Sequence, residues 1–165
     1  MTKATLNWPH LRTLTAGCVR SGLPGGGSHW GRRSTVPDYL LDSCVLIRHL
    51  RHHQPTTDLL AALVMDGQVG IATITRTEIV EGMREHEREV TMRLLDSLLS
   101  YPLDDPIADL AGEYIRRYRA KGITLDKPDA IIGATAVHHG LVLVTYNRKH
   151  FPMPELRCYG EMPNP

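Results

Sequence analysis

Apolar and polar positions along the chain change character at Tyr39. Before it no periodicity is sustained. Tyr39-Leu40-Leu41, followed by Asp42, predicts a short buried strand ending in a carboxylate. Cys44 to Leu50 has helical spacing. Pro55 opens a second helix, with Leu59, Leu60, Leu63 and Val64 on one face and a stop at Gly67. The β-branched run from Val69 to Ile74 predicts a second strand. Thr75-Arg76-Thr77-Glu78 then matches a capping box, with Thr at the N-cap and Glu three residues on. That helix continues through Ile79, Val80 and Met83.

Glu87 to Leu99 is amphipathic, with Val90, Leu94, Leu95 and Leu98 at helical spacing. Tyr101 to Leu103 reads as a short strand. Asp105-Pro106 opens a helix that runs to about Gly122 and carries Ile107, Leu110, Ala111, Tyr114 and Ile115. Asp126-Lys127-Pro128-Asp129 opens the next one. From Ala130 to His138 it is apolar nearly all round and rich in small residues, which predicts burial against a sheet. Leu141 to Thr145 is a continuous apolar strand, the pattern of one covered on both faces. Strands alternating with helices predict an α/β layered fold with a mainly parallel sheet. The chain has no internal repeat, Walker loop or GxGxxG fingerprint.

Composition narrows the classes without choosing among them. A length of 165 residues makes a single domain with one core the default. Hydrophobic content of 42% and charged content of 22% are ordinary for a globular protein. No apolar run reaches the length of a membrane span. Cys18, Cys44 and Cys158 are too few and too scattered for a disulfide framework or a zinc site, which predicts a reducing cytoplasm.

The formal net charge of +1 does not mark a nucleic-acid binder, but the charge is unevenly spread. Lys3, Arg12, Arg20, Arg32 and Arg33 lie before Pro37 with no acid among them; subtracting those five leaves −4 for the rest. With Gly-Gly-Gly at 25–27 and no periodicity, residues 1–37 read as a disordered extension ahead of a domain over 38–165. The extension lacks the apolar stretch of a secretory signal. An organelle transit peptide, or an upstream start codon adding non-functional residues, also fits its composition.

The chemistry gathers at one edge. Asp42 ends the first strand, Glu78 follows the second, and Asp129 opens the helix leading into the last strand, with Asn147 just beyond that strand. In a parallel α/β sheet, strand C-termini and helix N-termini share an edge, and ligands bind there at the switch point of strand order. Three carboxylates brought together repel. At ~5 Å and an effective dielectric of ~20 each pair costs roughly 3 kcal/mol. Three pairs approach about 10 kcal/mol, the whole stability of a domain. Either some protonate or a cation occupies the cluster. Hard oxygen donors favour Mg²⁺ or Mn²⁺ over zinc, and such an ion suits phosphodiester hydrolysis.

Each acid taken singly has a structural explanation as well. Glu78 fits the capping box, Asp126 is a good N-cap with Asp129 at the positive end of its helix, and Asp42 could cap the helix after Ser43.

Four stretches resemble one family. Leu-Leu-Asp-Ser-Cys-Val-Leu-Ile (40–47) resembles the opening of VapC-type PIN domains, and Ile-Thr-Arg-Thr-Glu-Ile-Val-Glu-Gly (74–82) their second motif. Pro-Asp-Ala-Ile-Ile-Gly-Ala-Thr-Ala (128–136) closely resembles the third motif, and Leu-Val-Leu-Val-Thr-Tyr-Asn-Arg-Lys-His-Phe (141–151) the fourth. The resemblance implies a three-layer α/β/α sandwich and a Mg²⁺-dependent endoribonuclease, the toxin of a type II toxin–antitoxin pair. It also implies inhibition by a VapB-like antitoxin and carries over Asp42, Glu78 and Asp129 as catalytic, metal-binding acids. A homodimer is expected.

Many family members have an acid near the end of the fourth motif. The candidates here are Asn147 and His150, a departure that bears on a second metal site; Asp126 is the alternative carboxylate. Ser43 and Thr145 are candidates to hydrogen-bond the acids. Arg76, Arg148 and Lys149 are candidates to contact RNA phosphates. His138 and His139 suit a helix C-terminus, while Met83, Leu94, Leu95 and Leu98 are core or partner surface. The competing functions are a non-catalytic PIN module that binds RNA or a partner, and an aspartyl-phosphate phosphohydrolase. The second needs an Asp at position 44, where the chain has Cys.

Overall fold

The structure is a computed structural model and describes residues 38–160. The expected extension, 1–37, lies outside the described residues. The elements are β1 (Tyr39–Leu41), α1 (Ser43–Leu50), α2 (Gln54–Asp66), β2 (Val69–Ala72), α3 (Thr73–Gly82), α4 (Arg88–Ser97), β3 (Leu99–Tyr101), α5 (Asp105–Arg119), α6 (Lys127–His139) and β4 (Val142–Val144). Short 3₁₀ turns at Glu85–Glu87 and Arg148–His150 complete the set.

The four strands are parallel, in the order β3-β2-β1-β4. Leu40 pairs with Gly70 on one side and Leu143 on the other. The chain thus walks outward from β1 to β3 and then returns to the far side of β1. Right-handed crossovers in opposite directions place their helices on opposite faces, and the two cores follow suit. Tyr39, Leu41, Val69, Ile71 and Val144 pack with Val45 and Leu46 of α1, Leu60 and Leu63 of α2, Ile79 of α3 and Leu95 of α4. Leu40, Ala72 and Leu143 pack with Ile107 and Tyr114 of α5, Ile132 and Ala134 of α6, and Phe151 and Met153. Adjacent residues such as Leu40 and Leu41 serve opposite cores because strand side chains alternate. The result is the expected α/β/α sandwich.

Several local expectations are corrected. β2 stops at Ala72 rather than Ile74, and α3 starts at Thr73 with no intervening loop. The N-cap of α3 is Ala72, so the capping box expected at Thr75 is absent; Thr75 is buried inside the helix with its hydroxyl unpartnered. β3 lies at Leu99–Tyr101, two residues earlier than expected. Val90, expected on the apolar face, is 53% exposed. Among the described residues no helix is long and apolar enough to cross a membrane.

Candidate functional site

The switch point falls between β1 and β4: the chain leaving β1 pairs next as β2 on one side, and the chain arriving from β3 pairs as β4 on the other. Asp42 follows β1 directly, and Thr145 follows β4. α3 and α6 bring Glu78 and Asp129 to the same edge. A cleft of about 500 Å³ there is lined by Asp42, Ser43, Glu78, Asp126, Lys127, Pro128, Asp129, Asn147 and His150. A smaller hollow of about 120 Å³ adjoins it, sharing Asp126, Asp129 and His150 and adding Lys149 and Ile123.

Asp42 is 4% exposed and its carboxylate is held on both sides. The Thr145 hydroxyl donates to Oδ2 at 2.7 Å and the Cys44 thiol to the same oxygen at 3.0 Å. The Ser43 hydroxyl donates to Oδ1 at a long 3.4 Å. Asp42 occupies the N-cap of α1, yet its side chain makes no capping bond. Burial raises the Cys44 thiol to about 12, with the Asp42 charge adding to it, so the sulfur keeps its proton as a donor.

Glu78 is the sixth residue of α3, in its second turn, where it has no capping duty. Its Oε2 is buried without a hydrogen-bond partner. Burial first, and the Asp42 charge second, push its carboxyl up to about 7; Asp129 and Glu81 add to this, and the Ser43 hydroxyl opposes it. Asp129, in the first turn of α6, is raised by burial. His150 pulls it back, with Nδ1 at 3.4 Å from Oδ2, while Asp42 and Asp126 push it up.

Asp126 stands at the N-cap of α6, but only its backbone carbonyl bonds into the helix; the expected side-chain capping bond is not made. Asn147 donates its backbone N–H to Thr145 Oγ1 at 2.9 Å. Arg76 is engaged with Asp96 at 2.6 Å, away from the cleft lining, and Arg148 bonds the Phe151 carbonyl. Lys149 alone of the three basic candidates lines the hollow beside the acids. Among the described residues no group of three or more His, Cys, Asp or Glu is arranged to hold a metal ion as it stands. The residue missed by sequence reasoning is Cys44. Its one signal was its place in the first turn of α1, two residues after Asp42.

Fold and site define a small α/β/α protein with acids gathered in a cleft at its switch point. A family model described as PIN domain matches residues 39–154. Ribonuclease VapC10 of Mycobacterium tuberculosis is 40% identical over 116 residues, covering 70% of this chain and 87% of that protein. Ribonuclease VapC19 of the same organism is 32% identical over 120 residues, covering 72% and 96%. A toxin-antitoxin complex from Klebsiella pneumoniae superposes with a TM-score of 0.61 at 29% identity, over 72% of this chain and 94% of that one. VapBC2 from Rickettsia felis, bound to a promoter DNA fragment, shares the fold with a TM-score of 0.66 at 19% identity, over 74% and 97%. The chain belongs to the PIN-domain family and, within it, to the VapC ribonucleases.

Proposed function

We propose that this protein is the toxin of a type II toxin–antitoxin pair, a metal-dependent endoribonuclease whose Asp42, Glu78 and Asp129 hold Mg²⁺ or Mn²⁺. The observation that carries the reading is Glu78 Oε2, a buried carboxylate oxygen without a hydrogen-bond partner, on a residue that lines a cleft with Asp42, Asp126 and Asp129. A buried polar atom left without a partner calls for a cause, and an ion at the site is one. A divalent cation fits by charge, relieving the mutual repulsion of the acids, and by chemistry, since every donor is a hard oxygen. The kinship with VapC ribonucleases supports RNA as substrate and a VapB-like antitoxin as partner. It supports the cytoplasm as the place of action, and a homodimer is part of the same proposal.

When bound, the ion supplies positive charge to the phosphodiester and acidifies the attacking water. The residues do the rest. Asp42 is fixed by Thr145 and Cys44 and presents Oδ1. Glu78 and Asp129 would complete the carboxylate set that holds the ion, with Glu78 Oε2 free of any competing hydrogen bond among the described residues. His150 and Asn147 line the same cleft as Asp42, and Lys149 in the adjoining hollow is placed to meet the RNA backbone.

The test is incubation of the purified protein with mixed RNA in Mg²⁺, Mn²⁺ or EDTA, with and without Asp129→Asn. Cleavage that needs the ion and Asp129 is the expected result. RNA bound but never cut would favour a non-catalytic PIN module instead.

A further inference from the structure

Asp42 Oδ2 receives two hydrogen bonds, one from Thr145 and one from Cys44, and the two donors are themselves oriented by backbone. The Tyr146 N–H points at Cys44 Sγ at 3.4 Å, and the Asn147 N–H at Thr145 Oγ1 at 2.9 Å. An atom that accepts a backbone N–H has its own proton left to give. The amides of the segment after β4 therefore aim the thiol and the hydroxyl at one carboxylate oxygen. Cys44 Sγ and Thr145 Oγ1 are themselves 3.6 Å apart, so the pair closes into a compact clamp.

The clamp joins the end of β1 to the end of β4 across the switch point. With Oδ2 occupied twice, Oδ1, which among the described residues is bonded only by Ser43 at 3.4 Å, is the oxygen left for the cleft. We infer that Cys44 is a positioning residue, whose thiol, with Thr145, locks the Asp42 carboxylate in the rotamer that presents Oδ1 to a divalent cation. The inference rests on the proposed metal site and extends it to a side chain that touches neither the ion nor RNA. Its chemistry is donation alone. Serine, with a hydroxyl in place of the thiol, should serve; alanine and valine, without a donor, should not, although valine fills the space.

The experiment follows thermal melting of the protein during Mn²⁺ titration, with EDTA as baseline and no RNA present. Melting temperature in EDTA reports packing, and the Mn²⁺ midpoint reports the site. Cys44→Ala and Cys44→Val should each raise the midpoint roughly tenfold, the scale for losing a partner of a metal ligand. Cys44→Ser should restore it to within about twofold. If alanine leaves too little folded protein, valine carries the test. Equal midpoints for parent and Cys44→Val would overturn the inference while leaving the metal site standing. A parent that shows no Mn²⁺ shift would overturn the metal site, and the role of Cys44 with it.

Discussion

His150 Nδ1 lies 3.4 Å from Asp129 Oδ2, so the end of the fourth motif reaches the acid of the third. The histidine side chain is 44% exposed and the aspartate 18%. Half-exposed pairs of this kind contribute about 1 kcal/mol or less. His150→Ala should therefore shift the melting temperature by no more than about 4 °C. Its cleavage rate should fall by far less than that of Asp129→Asn. Parity between the two variants would make His150 a reacting group rather than a wall of the cleft.

Glu78 sets a pH dependence in the metal-free protein. Its carboxyl is pushed to about 7 from an ordinary 4.5, so the folded chain keeps a proton that the unfolded chain releases between those values. Its contribution to stability therefore falls as pH rises through that window and is lowest above it. Asp129 is shifted in the same direction. His49 and His139 are lowered by burial and act oppositely, losing stability as pH falls. Glu78→Gln isolates the carboxyl. In EDTA its melting temperature should gain on the parent by about 5 °C between pH 5 and 7.5. Saturating Mg²⁺ should erase that gain. A gap that stays constant with pH would refute the cause assigned to Glu78.

These effects could not all be anticipated from sequence. The layers could, because the strands of a doubly covered sheet are apolar at consecutive positions, as Tyr39-Leu40-Leu41 and Leu141 to Val144 are. The gathering of Asp42, Glu78 and Asp129 followed from topology alone, since strand ends and helix starts share an edge. β3 was misplaced because it is an exposed edge strand, with Leu99 45% exposed, and carries no burial pattern. Its position is set across the sheet, where Gly70 admits Leu99 and Tyr101 at close range. The capping box at Thr75 was a sound local motif overridden by β2, which runs into α3 at Thr73 without a break. Cys44 was invisible for another reason: its bonding depends on Tyr146 and Thr145, about a hundred residues away.

The extension is a separate proposal. A chain beginning near Val36 should keep the melting temperature and the cleavage rate of the whole, since residues 1–37 carry no sustained apolar periodicity. A loss of several degrees would show that it contributes to the folded domain.

Two glycines offer a packing test. A Cβ at Gly70 would meet Tyr101 Cε2 at 2.6 Å and the Leu99 carbonyl oxygen at 2.8 Å. The second is backbone in a paired strand and cannot yield, so Gly70→Ala should cost about 1–3 kcal/mol in urea unfolding. At Gly133 the clash is with Met153 Cε at 2.9 Å, the tip of a flexible thioether. Alanine also favours a helix over glycine by about 1 kcal/mol, so Gly133→Ala should fall within about 1 kcal/mol of the parent. Reversal of that order would mean that α6, not β3, is the rigid wall.

The acids themselves are separable by conservative substitution. Asn caps helices as well as Asp does, and neither Asp42 nor Asp126 makes a side-chain cap here. Asp42→Asn and Asp129→Asn should thus keep the fold. They remove charge from groups proposed to touch the ion directly. Loss of an indirect partner costs 10- to 100-fold, so loss of a ligand should cost more than about 100-fold in cleavage. Asp126 is exposed on the shared wall of the cleft and the hollow. Asp126→Asn should change melting by less than about 2 °C and cleavage by less than about tenfold. Expressed without an antitoxin, the Asp42 and Asp129 variants should no longer arrest growth, and the Asp126 variant should. A folded Asp129→Asn protein cutting RNA at the parental rate would return Asp129 to the role of a helix-start charge. Asp126 would then be the next carboxylate to test.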